Sequence, residues 1–186
     1  MDKSLKLINK IVASIILIGT IIFMIKDPRT SRMLTYLSVI PLILVPVIVR
    51  KFICKLENVD ITIYYIFIFF AYLLGCCANL YNKTANFDSI MHFSSGVYTM
   101  FIALKLSNYK KISDKVAKLI FCFGFIFMVA GIWEICEFSA DKILHTRFQH
   151  NETEGVNDTM IDIIMAFIGS IITYIFYNIK KKVVKS

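Results

Sequence analysis

A chain of 186 residues that is 58% hydrophobic, with a mean hydropathy of +0.69, carries too few charges and too many long apolar runs for a soluble domain. The formal net charge of +8 does not point to nucleic acid, because the Lys and Arg residues flank apolar runs, as in Lys180-Lys181-Lys182. That is where the positive-inside rule and anionic lipid place them.

In chain order, the first apolar run spans about 7–25 and ends in Lys26-Asp27-Pro28 without a small-x-small cleavage site, so it reads as a retained helix. The second, about 33–49, contains Pro41 and Pro46, which are expected to kink it. The third covers about 61–80, the fourth about 88–106, the fifth about 117–138 and the sixth about 158–179. Each approaches the ~20 residues that cross a bilayer core. The expected fold is all-α: a polytopic membrane protein built as one six-helix transmembrane bundle over residues 1–186. The five cysteines, at 54, 76, 77, 122 and 136, form no C-x-x-C pair and read as small apolar packing residues.

Orientation follows from the basic residues. With a cytoplasmic N-terminus and six spans, 15 of the 21 Lys and Arg residues fall inside and 6 outside. Both termini are therefore expected in the cytoplasm.

On that topology the polar residues of three helices converge. The fourth helix enters from outside with Asp88 and His92, the fifth leaves toward the outside with Glu134 and Glu137, and the sixth re-enters with Asp158 and Asp162. Spacings of i,i+3 and i,i+4 put each pair on one helix face. An ionised carboxylate at a helix centre costs about 2.5–3.5 kcal/mol, and five crowded together repel one another. Three compensations are open: a divalent metal, protonated carboxyls as in a proton relay, or counter-charges from Lys142, His145, Arg147 and His150 in the last external loop. Asp88 and Asp158 also suit ordinary helix N-caps, whereas His92, Glu134 and Asp162 lie too deep for that. Ser95, Gly96 and Thr99 follow Asp88 and His92, while Ala166, Gly169 and Ser170 follow Asp162. With Gly124, Ala130 and Gly131 on the fifth helix, they are expected to let backbones approach closely.

The pattern Asp88-x-x-x-His92-Phe93-x-x-Gly96, Trp133-Glu134-x-x-Glu137 and Asn157-Asp158-x-x-x-Asp162 resembles the YjdF-like bacterial inner-membrane proteins over roughly the C-terminal half. It is more distantly similar to the VanZ-like proteins, although the acid-to-histidine spacing is one residue longer and the Gln149 region lacks their Pro-Gly-Arg stretch. The resemblance implies a multi-pass protein of the bacterial cytoplasmic membrane; it supplies no activity, and glycopeptide resistance is not carried over.

The leading functional expectation is a membrane enzyme acting on a lipid or cell-envelope substrate. Asp88, His92, Glu134, Asp158 and Asp162 would hold Mg²⁺, Mn²⁺ or Zn²⁺, and Glu134 or Glu137 would serve as general base. No H-E-x-x-H, nucleophile elbow or P-loop accompanies these residues. The alternatives are a proton- or ion-coupled small transporter and a non-catalytic envelope protein whose polar cluster is structural.

Overall fold

The structure is a computed structural model that describes residues 2–144 and 155–183. Its regular elements are helical, with no strand among the described residues. They are α1 (Asp2–Lys26), α2 (Thr30–Leu37), α3 (Val39–Phe52), α4 (Asn58–Ile68), α5 (Leu80–Lys83), α6 (Phe87–Tyr109), α7 (Lys115–Leu144) and α8 (Gly155–Val183). α4 runs on as a π-helix over Phe69–Cys77. Most helices overrun the apolar runs, because backbone hydrogen bonding continues into polar residues that hydropathy does not count. The third run is the exception. It stops at Cys77 rather than at residue 80, where Asn79 takes a left-handed φ of 66° and closes the helix.

Among the described residues, five stretches are long and apolar enough to cross a membrane: Asp2–Lys26, Arg32–Phe52, Asn58–Cys77, Lys115–Ile143 and Val156–Lys181. α6 has the length, at 23 residues, but Asp88, His92, Lys105 and its Ser and Thr residues lower its apolarity. Across these helices Leu7, Ile18, Ile25, Ile120, Ile135 and Phe176 are exposed, while Asn9, Asp60, Glu134 and Asp162 are buried. Polar groups inside and aliphatic groups outside suit a lipid solvent. The chain divides into two compact units, one comprising α1–α5 and the other essentially α6–α8.

In the first unit, the two prolines shape the second span. Pro41 has no N–H for the Leu37 carbonyl and its ring crowds that oxygen, and the helix breaks at Ser38 between α2 and α3. Two carbonyls in the turn before the break accept from hydroxyls. Thr35 O accepts from Ser38 Oγ at 2.7 Å and from the Tyr72 hydroxyl, which also reaches Tyr36 O at 3.1 Å. Pro46 lies within α3 and leaves Leu42 O without its helical donor. Tyr64 Oη donates to that oxygen at 2.7 Å, and Tyr65 Oη donates to Ile43 O at 3.1 Å. Three tyrosines of the neighbouring span thus supply donors that the bilayer lacks.

Each end of this unit is tied by polar side chains. At one end, Asn9 of α1 is buried with both halves of its amide engaged. Its Nδ2 donates to Asn58 O at 3.0 Å, and its Oδ1 accepts from Thr62 Oγ1 at 2.7 Å. Asn58 Nδ2 donates to Asp2 Oδ1 at 2.6 Å, while Arg50 Nη1 of α3 donates to Asn58 Oδ1 at 3.2 Å. The N-terminus of α4 is closed by a capping box between Glu57 and Asp60. At the other end, Arg32 donates to the Cys76 carbonyl at the close of the π-helix and lies 3.4 Å from Asp27 Oδ2. Arg29 grips Asp27 with two hydrogen bonds of 2.6 Å, Nε to Oδ1 and Nη2 to Oδ2.

In the second unit, Met100, Ala103 and Leu104 of α6 pack with Cys122 and Ile126 of α7. Phe123 bridges to α8, meeting Phe167 at 5.5 Å and Tyr174 at 5.6 Å between ring centroids. α6 and α8 approach more closely still. A methyl group on Gly96 would collide with the Ala166 backbone, and one on Gly169 with the Phe93 backbone. The two glycines form a reciprocal seam, each opposite the other helix's main chain.

Candidate functional site

The glycine seam positions the site. Phe93 follows His92 directly, and Ala166 stands one turn beyond Asp162, so close contact at Gly169 and Gly96 brings the adjoining polar residues of α6 and α8 together. Asp88 and His92 occupy one face of α6, with Asp88 Oδ1 3.3 Å from His92 Nε2. From α8, Asp162 Oδ2 comes within 3.7 Å of the same nitrogen. From α7, Glu134 Oε1 lies 4.0 Å from the other ring nitrogen, Nδ1.

Asp162 and Glu134 are only 2% and 5% exposed. Among the described residues, Asp162 Oδ2 and Glu134 Oε1 are buried without a hydrogen-bond partner. A buried carboxylate oxygen without a donor is costly, so a cation, a proton or a water has to answer it. One ligand atom from each of Asp88, His92 and Asp162 lies within 4.8 Å of the others, which is compact enough for a shared ion.

The remaining predicted residues fall around this core. Asp158 stands one turn before Asp162 in the first turn of α8, outside the compact trio but close enough for its charge to be felt at Asp162 and Glu134. Glu137 lies one turn beyond Glu134 on α7 and is hydrogen-bonded to Trp133, the single tryptophan, which is 44% exposed. Neither Asp88 nor Asp158 is an N-cap. α6 starts at Phe87 and α8 at Gly155, which puts both carboxylates inside the first turn, where the helix dipole still favours them.

Two expectations need correction or completion. Gly124 and Gly131 do not mediate close helix contact; nothing lies within 4 Å of a methyl group placed on either. A methyl at either position points into open space, whereas one on Gly96 or Gly169 meets backbone. Thr159 went unrecognised in the sequence: its side chain hydrogen-bonds to Glu134. The signal available was its position three residues before Asp162, on the adjoining part of that helical face. Of the proposed counter-charges, Lys142 is exposed and lies over the Phe138 ring, while His145, Arg147 and His150, with Gln149, lie outside the described residues.

A family model described as "Predicted membrane protein (DUF2238)" matches residues 8–182. A Thermotoga maritima protein described as uncharacterized is 33% identical over 104 residues, which cover 55% of this chain and 53% of that protein. The match therefore spans about half the length of that relative. No solved structure matches the chain. These comparisons agree with a multi-pass membrane protein and lend the VanZ-like resemblance no support.

Proposed function

The chain belongs to the DUF2238 family of predicted membrane proteins, and on that premise we propose that its α6–α8 site binds a divalent cation and uses it on a lipid or cell-envelope substrate. The observation that carries this reading is the Asp88–His92–Asp162 trio, with ligand atoms within 4.8 Å of one another and a buried Asp162 oxygen left without a donor. Two carboxylates and one imidazole suit Mg²⁺, Mn²⁺ or Zn²⁺, since no thiolate joins the group. Three protein ligands leave coordination positions for water and substrate. An ion held there would polarise a phosphoryl or acyl oxygen and lower the pKa of a bound water. Glu137, the carboxylate left over on the same side of α7, is then the group to accept a proton.

The same reading sets the chain in the bacterial plasma membrane with six spans and both termini cytoplasmic. At ~1.5 Å per residue, α6 is ~34 Å long, enough for a ~30 Å hydrocarbon core. Asp88, His92 and Lys105 are then the polar load of a span that carries a site. The basic residues support the orientation, which puts Asp88, His92, Glu134 and Asp162 toward the outer surface.

Metal analysis of purified protein tests the proposal. Wild type is expected to hold one equivalent of divalent metal, and His92→Ala and Asp162→Ala to lose it while melting as cooperatively as wild type in detergent. Metal-free wild type that instead drives pH-dependent uptake in vesicles would replace this reading with a proton-coupled transporter.

A further inference from the structure

We infer that Glu134 is a positioning residue that orients the His92 ring, rather than a metal ligand or the general base; the inference rests on the metal-site reading above. The two nitrogens of His92 face different carboxylates. Nε2 is turned to Asp88 Oδ1 at 3.3 Å and Asp162 Oδ2 at 3.7 Å, whereas Nδ1 is turned to Glu134 Oε1 at 4.0 Å. Donor atoms sharing one ion at ~2.0–2.2 Å stand roughly 3–3.5 Å apart. On the Nε2 side the 3.3 Å spacing to Asp88 falls in that range, and the 3.7 Å spacing to Asp162 needs only a small contraction to enter it. Glu134 does not belong to the compact ligand group.

An ion on Nε2 leaves Nδ1 to carry the ring proton. A metal-bound imidazole characteristically donates that proton to a carboxylate, which fixes the ring's rotation and raises its basicity. Glu134 is built for this role. Its Oε1 is buried with no other partner, and Thr159 hydrogen-bonds to the same carboxylate. A shift of about 1 Å brings Nδ1 and Oε1 to hydrogen-bond length. The three helices then divide the work: α6 supplies the imidazole and one carboxylate, α8 the second carboxylate, and α7 the brace behind the ring.

The test uses full-length protein loaded with Zn²⁺ and labelled with ¹⁵N in its histidine rings, with His145 and His150 replaced by Gln so that one ring is observed. The expected spectrum shows the metal on Nε2 and the proton on Nδ1. Glu134→Ala should weaken Zn²⁺ binding by about 10–100-fold and speed exchange of the Nδ1 proton. Glu134→Gln, whose amide oxygen still accepts, should recover most of the affinity. Metal on Nδ1, or a Glu134→Gln variant as metal-free as His92→Ala, overturns the assignment while leaving the metal site standing. Wild type that binds no Zn²⁺ brings down the site and the assignment together.

Discussion

Tyr64 Oη donates to Leu42 O at 2.7 Å, and Leu42 O is the acceptor that Pro46, four residues later, cannot serve. The hydroxyl of one span completes the hydrogen bonding of another. A donor from a neighbouring helix is one way a proline is tolerated in a membrane helix, and here it ties the proline-bearing second span to the tyrosine-bearing third.

Tyr64→Phe should therefore lower stability by about 0.6–2 kcal/mol, read as a lower melting temperature in detergent. Pro46→Ala restores an N–H to Leu42 O. In that background Tyr64→Phe should cost much less, and a double-mutant cycle measures the difference. Equal costs in both backgrounds would show that the hydroxyl is not compensating for the proline.

The glycines of the second unit separate sharply. Gly96→Ala and Gly169→Ala drive a methyl into facing backbone, so each should cost at least about 1–3 kcal/mol and loosen the Asp88–Asp162 approach. Gly124→Ala and Gly131→Ala meet open space and should be neutral, or stabilising by about 0.5–1 kcal/mol through reduced chain entropy. Thermal melts of the four variants decide it.

The crossing of α6 is tested by labelling at its two ends. In a cysteine-free background, Asn86→Cys should react with an impermeant maleimide on intact cells. Lys110→Cys should react only after permeabilisation. Both positions are exposed, so burial does not mask the outcome. Reaction from the same side would mean that α6 does not cross.

Asp27 lies between α1 and α2, outside the stretches long and apolar enough to cross a membrane. Hydrogen bonds from Arg29 hold its carboxyl at about 2, below the ordinary 3.8. Because the folded value is the lower one, its stabilising contribution is complete above about pH 4 and is lost as pH falls through about 2. Carbon-13 titration should show the Asp27 midpoint near 2 in wild type and closer to 3.8 in Arg29→Gln. Arg29 is exposed and Asp27 partly so, and the effect of the pair on global melting should be small.

Apolar runs marked the helices because lipid rewards an uninterrupted apolar surface, and the convergence of Asp88, His92, Glu134 and Asp162 was legible from i,i+4 spacing together with charge bias. Other features were not. Gly96 and Gly131 read alike in a sequence, and only the facing helix distinguishes a seam from an open face. Pro41 announces a kink, but nothing local announces the π-helix at Phe69–Cys77. The separate roles of Glu134 and Asp162 depend on which side of one imidazole each meets, a matter of helix rotation that spacing leaves open.

The Asn9 contact has a consequence for biogenesis. Asn9 and its carbonyl partner Asn58 are separated by 49 residues, and at about 5–20 residues per second the ribosome needs roughly 2–10 s to supply the second after the first. During that interval α1 has no access to the groups that satisfy its amide. A buried amide without partners is costly, so α1 reaches its lowest-energy packing only once α4 has been made and brings Asn58 and Thr62 to Asn9.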